Sequence, residues 1–275
     1  MDLASHPLVS TMHRLTEINQ FFNLPVRELE GDGWIEATEL LLGDDQRLRN
    51  LVMTYGQKAW GTTNNHVAGS VFIIAYLTRL VWPVIGQYVL QRRVPKVALA
   101  NVSFHCNSDG IDATALNHPW FAVLPGDPAA DHPDSECVGG KTDLYERLEE
   151  WMFDSNLTPV IAALHRAAGA SIKVSQNAVA NSCTQAFHWL YSASKDPAPI
   201  VLEASTFFDE RDSPVYGQVR MEVFEHLGKQ GFFSRRRGCC LAWRTGRAHG
   251  YCSNCILLTK DQQDQQFRDL LECGG

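Results

Sequence analysis

The sequence predicts an α+β fold that is mainly α-helical, with a small antiparallel sheet and a thiolate site near its C-terminus. Three observations predict it. Apolar residues recur at helical spacing over most of the chain. The period shortens to that of a strand only within residues 97–124. Four of the eight cysteines fall inside residues 239–255.

The elements follow in order. Residues 8–22 set Leu8, Met12, Leu15, Ile18, Phe21 and Phe22 at helical spacing and predict an amphipathic first helix. Gly31-Asp32-Gly33 reads as a turn. Residues 34–42 and 44–60 read as two helices, the second opened by Asp44 and Asp45, whose charge suits a helix N-terminus. Thr62 or Thr63 caps a further helix, and Pro83 ends or kinks it. Arg79, Pro83 and Gly86 interrupt the apolar stretch 67–90, leaving pieces the length of buried core helices, so no stable membrane insertion is expected. Residues 97–104 alternate as a strand, Asn107-Ser108-Asp109-Gly110 is turn chemistry, and residues 120–124 read as the partner strand.

Residues 125–142 form a Pro- and Gly-rich loop that divides a helical and sheet region, 1–124, from a helical region, 143–275, unless the two are one continuous domain. Beyond it, residues 144–153, a helix opened by Thr158-Pro159, and residues 171–191 read as helices. Prolines 197, 199 and 214 break the next segment. Residues 215–230 read as a helix closed by Gly231, and residues 261–272 as an amphipathic closing helix.

Composition narrows the function. The chain has 275 residues, 45% hydrophobic and 20% charged, which is globular rather than disordered. A net charge of −7 excludes general nucleic-acid binding, which needs an excess of Lys and Arg. The N-terminus lacks the pattern of a signal peptide, so a cytoplasmic location is expected. Thiols stay reduced there, and clustered cysteines mean metal or redox chemistry more often than disulfides.

The cluster is Cys239-Cys240, eleven residues, then Cys252-Ser253-Asn254-Cys255. Thiolates are the ligands that zinc and iron–sulfur clusters share, so the set alone leaves both open. A structural zinc site with four cysteine ligands draws on two Cys-x-x-Cys knuckles, and its reading is a zinc-stapled, non-enzymatic binding protein. Adjacent cysteines point their side chains apart, which suits a larger body such as a two-iron rhomb. The other cysteines, Cys106, Cys137, Cys183 and Cys273, read as bystanders.

This arrangement resembles the siderophore-iron reductase family (FhuF-like ferric reductases), with a spacer one residue longer than is usual there. Upstream, residues 157–164 and Asn177-Ala-Val-Ala180 are similar to that family's Pro-containing helix and the Asn-Ala helix after it, although Ser175-Gln176 stands where the family has tryptophan. The resemblance covers the last 120 residues or so. It implies a [2Fe–2S] cluster on Cys239, Cys240, Cys252 and Cys255, and one-electron reduction of a ferric siderophore that releases Fe(II), with no covalent step by the protein. Arg235, Arg236, Arg237, Arg244 and Arg247 would then offset the cluster's charge or bind an anionic chelate or acidic donor. Trp243 and Tyr251 would shield the cluster, and His249 would donate to a sulfur or couple a proton to reduction. No Gly-rich nucleotide loop, Walker motif or His-Glu-x-x-His occurs, so electrons are expected from a ferredoxin-like or flavin-dependent partner. Ser192-x-x-Lys195 lacks companion motifs, and His105, Cys106, Asp109 and Asp112 read as strand-end turn chemistry.

Overall fold

A computed structural model describes residues 5–27, 33–107, 110–247 and 250–273. It is mainly helical, with three small sheets. The first helix, α1 (Pro7–Thr16), is capped by His6 and followed by a 3-10 turn at Gln20–Phe22. The expected helix at 34–42 opens instead as a strand, β1 (Trp34–Glu36), before α2 (Ala37–Leu42). α3 (Asp45–Trp60) begins at the acidic pair, with Asp44 accepting the Gln46 N–H.

The central element is α4 (Asn65–Gln91). Its cap is Asn64, whose side chain accepts the Val67 N–H, and not Thr62 or Thr63. The helix runs on through buried Pro83 to Gln91. It is apolar almost all round, as a helix enclosed by others must be. It is long and apolar enough to cross a membrane by length and composition, and 78% of its most apolar window is buried among other elements.

Three-residue β2 (Arg93–Pro95) pairs antiparallel with β5 (Phe121–Val123), which in turn pairs parallel with β6 (Ser135–Cys137). β3 (Val102–Asn107) pairs with β1 on one side and β4 (Gly110–Leu116) on the other. The strand expected at 120–124 forms at residues 121–123, but in a different sheet from the one expected. Gly31, Asp32, Ser108 and Asp109 lie outside the described residues.

After the loop, α5 (Lys141–Leu148), a π-helical stretch at Glu149–Leu157 and α6 (Thr158–Ala168) run on directly. Asn156, on the π stretch, is buried between the Tyr76 hydroxyl (2.5 Å) and the Val97 carbonyl (2.6 Å). α7 (Ile172–Ala193) packs along α4 and is followed by α8 (Ala198–Asp209). The expected helix at 215–230 is a β-hairpin, β7 (Val219–His226) and β8 (Lys229–Arg236), turning at Leu227 and Gly228, both at positive φ. α9 (Lys260–Cys273) closes the chain against it. One hydrophobic core extends from Leu8 through α4 and α7 to Phe232, across the proposed division at 125–142.

Candidate metal centre

The hairpin decides where the arginines go. Successive strand residues face opposite sides, so Phe233 and Arg235 turn to α9 while Phe232, Ser234 and Arg236 turn to α7. The Phe233 and Phe267 rings stack with centroids 4.5 Å apart. Arg235 lies over Phe267, bonds Gln263 at 3.0 Å and pairs with Glu222 (2.6 Å) and Asp264. It is therefore committed to holding α9 on the hairpin. Arg236 is buried and faces the thiols.

On the other side, α7 presents a polar stripe at Asn177, Asn181, Thr184 and His188, spaced i, i+4, i+7, i+11, which is one helix face. His188 Nδ1 donates to the Phe232 carbonyl at 2.9 Å, and Thr184 bonds Ser234 at 3.1 Å. Asn254, inside the Cys252–Cys255 turn, donates to Asn181 (2.9 Å) and to Ser234 (2.8 Å), and its carbonyl accepts from Arg236 Nε at 3.3 Å. Asn177 meets Gly238 so closely that a Cβ there would lie 1.9 Å from the asparagine side chain. Both cysteine-bearing segments are thus held on one face of α7.

The loop also docks on the N-terminal half. Ser70 of α4 donates to the Cys240 carbonyl at 3.1 Å, and Arg247 donates to the Ala59 carbonyl of α3 at 3.3 Å. Gln263 of α9 bonds the Cys255 carbonyl at 2.9 Å, and the Cys255 N–H closes on the Cys252 carbonyl at 2.9 Å. Elements from both halves of the chain converge on the four cysteines.

Leu241 sits in the left-handed region at φ 60°, a conformation that branched and bulky residues rarely adopt. Its N–H donates to the Cys239 sulfur at 3.3 Å, and the Ala242 N–H reaches the Cys240 sulfur. The Cys252 thiol donates to Cys240, and this bond, more than the adjacent Arg236 charge and against the effect of burial, pulls the Cys240 thiol down to about 5. The Cys252 thiol, as donor, is pushed up in turn. Both effects favour a thiolate at Cys240, beside the Arg236 guanidinium.

Cys240, Cys252, Cys255 and Arg236 line a cavity of about 300 Å³ with Trp60, Trp243, Arg247 and Tyr251. Cys240 and Cys255 are buried, Cys239 half-buried and Cys252 exposed. A tetrahedral zinc ion at about 2.3 Å from each sulfur sets all four about 3.8 Å apart. Among the described residues, no three of these sulfurs lie within 4.8 Å of one another. A cavity beside open sulfurs, with a buried guanidinium whose Nη2 has no hydrogen-bond partner among the described residues, fits a bulkier anionic group better than one ion.

Of the other predicted residues, Arg237 and Arg244 are exposed, and His249 lies outside the described residues. Trp243 and Tyr251 meet edge to face at 6.0 Å over the cavity. Asn181, Thr184, Ser234 and Asn254 are the site residues that sequence reasoning missed; the signal was a polar stripe on an otherwise apolar helix. His105 pairs with Asp112 at 2.7 Å, and Ser192 donates to the His188 carbonyl of its own helix.

A second group, His6, His132 and Asp134, brings its polar atoms within 4.8 Å. Both imidazoles use Nδ1 to accept a backbone N–H, from Leu8 (3.1 Å) and Asp134 (3.2 Å). A neutral ring that accepts at Nδ1 carries its proton on Nε2, which leaves no lone pair for a metal. Burial, then His132, hold the His6 ring below its ordinary value. This cluster fastens the first helix to the 125–142 loop.

No protein-family model matches the chain, and a search of curated proteins returns no match.

Proposed function

We propose that this protein is a cytoplasmic one-electron reductase of ferric siderophores, with a [2Fe–2S] cluster on Cys239, Cys240, Cys252 and Cys255. The observation that carries the reading is the cavity of about 300 Å³ walled by three of those cysteines and the buried Arg236 guanidinium, whose Nη2 has no hydrogen-bond partner among the described residues. When bound, such a cluster supplies a centre that takes up and gives away one electron at a time.

The chain's own residues have separable tasks. Arg236 offsets negative charge on the sulfurs, and the Leu241 and Ala242 N–H groups hydrogen-bond two of them; both effects favour the reduced state. Trp243 and Tyr251 limit water at the cavity mouth. Cys252 also borders a groove of about 190 Å³ lined by Asn181, Gln185, His188 and Ser253 and by Phe232, Phe233 and Phe267, where a ferric chelate can come close to the sulfurs.

The substrate chemistry needs nothing else from the protein. Siderophores hold Fe³⁺ through hard oxygen donors, and Fe²⁺, softer and less charged, is bound far more weakly by the same atoms. The chelate gains one electron, an external donor loses one, and the chelate then releases its iron.

Iron, sulfide and zinc analysis of anaerobically purified protein tests the proposal, together with its absorption and electron paramagnetic resonance spectra. Two iron atoms per chain, visible bands that bleach on reduction and a rhombic signal are expected. One zinc ion and no iron would instead establish the structural zinc site on the four cysteines.

A further inference from the structure

We propose that the mouth of the aromatic cavity, formed by Trp243, Arg247 and Tyr251, together with exposed Arg244 next to Trp243 in the chain, is the docking face for a small acidic electron-carrying protein. The inference rests on the redox reading above and goes beyond it by assigning the surface through which the donor is recognised.

Charge is the first observation. The chain as a whole carries −7, yet residues 227–260 contain no Asp or Glu. Two of the five arginines there have internal duties: Arg235 holds α9, and Arg236 faces the thiols. Arg237, Arg244 and Arg247 are exposed, and among the described residues none of them pairs with an acid. A basic patch on an otherwise acidic protein steers an acidic partner to this one place, because the rest of the surface repels it.

Exposed apolar area is the second. Trp243 is 41% exposed, Tyr251 45%, Ile256 39% and Leu257 48%, all within fifteen residues of chain that also hold Cys252 and Cys255. Tryptophan, tyrosine and arginine are the residues that dominate protein–protein binding energy when a partner covers them. A hydrophilic chelate gains nothing from exposed isoleucine and leucine, whereas a folded partner removes them from water. The groove on the α7 side of Cys252 remains free for the chelate.

Isothermal titration of the full-length, cluster-bearing protein with an oxidised acidic [2Fe–2S] ferredoxin tests this, since it reads complex formation and not turnover. Binding at low salt that weakens steeply as salt is raised is expected. The Arg244→Glu, Arg247→Glu double variant is expected to lose at least about ten-fold in affinity, and Trp243→Ala a similar amount, while the charge-conserving Arg244→Lys, Arg247→Lys variant keeps most of it. Affinity within two-fold of the parent in the charge-reversed variant, with iron content and visible spectrum intact, overturns the docking face alone. A chain that carries zinc and no iron overturns the redox reading and the docking face together.

Discussion

The guanidinium of Arg236 is buried against the sulfur of Cys240, four residues along the chain, and its Nη2 has no hydrogen-bond partner among the described residues. Burial works against its charge, and the Cys240, Cys252 and Cys255 sulfurs hold the charge in place. A hydrogen bond to a charged group contributes about 1.5–3 kcal/mol, and about 1.4 kcal/mol corresponds to roughly 59 mV for one electron. For the proposed cluster, Arg236→Met is therefore expected to lower the midpoint potential by tens of mV, up to roughly 60 mV, because only the difference in that bond between the two redox states counts. Potentiometric titration of both proteins decides it, and equal potentials would remove Arg236 from the site.

Gly238 approaches Asn177 too closely for any side chain. Gly238→Ala should cost about 1–3 kcal/mol by overpacking and loosen the first cysteine pair. Asn177→Gly in the same chain should recover most of that loss, because the obstructing group is gone. A double-mutant cycle by denaturant unfolding, with metal content measured alongside, reads the coupling; additive losses would refute the contact.

The hairpin turn places Leu227 at φ 50° and Gly228 at φ 74°. Two consecutive residues at positive φ favour Asn-Gly in a two-residue hairpin, and Leu227 is 77% exposed, so its side chain packs on little. Leu227→Asn is expected to stabilise the protein by about 0.5–1 kcal/mol, relieving part of the roughly 1–2 kcal/mol left-handed cost. Thermal unfolding should show a midpoint higher by about 2 °C; a lower midpoint would count against the turn.

Arg93 is clamped to Asp127 by two hydrogen bonds (2.9 and 2.7 Å) and also donates to the Pro7 carbonyl (2.8 Å). Burial pushes the Asp127 carboxyl up, but Arg93 and the Ala129 N–H outweigh it and hold it below the ordinary carboxylate value. A carboxyl lowered by folding binds fewer protons than in the unfolded chain, so its stabilisation is present above about pH 4 and is lost as pH falls through the lower folded value. Asp127→Asn should remove that acid-range dependence and cost about 3 kcal/mol at neutral pH, because Arg93 stays buried without a counter-charge. Unfolding by urea from pH 7 to pH 3 compares the two slopes, and parallel curves would show that Asp127 does not contribute.

The helices with strong caps were legible: Asp44 and Ser171 open α3 and α7 where the letters place them. The hairpin was not. Val219, Val223, Phe224 and Leu227 fall at helical spacing, and β8 is buried on both faces at residues 231–234, so no clean alternation betrays a strand. The cysteine spacing identified a candidate thiolate site and not its surroundings. Sequence gives five neighbouring arginines one character, and only the pleat of β8 separates Arg235, which fastens α9, from Arg236, which faces sulfur. Pairing partners over long separations were equally hidden, as with the 120–124 strand, which joins β2 and β6 rather than β3.

The pleat of β8 also imposes a rule of parity on the chain's future changes. Adding or deleting one residue between Phe233 and Arg235 would exchange the duties of the two arginines, turning the helix-fastening side chain inward and the sulfur-facing one out. Adding two would return each to its own face, about 7 Å further along the strand. Only even steps in β8 therefore keep Arg235 on the α9 side and Arg236 on the sulfur side.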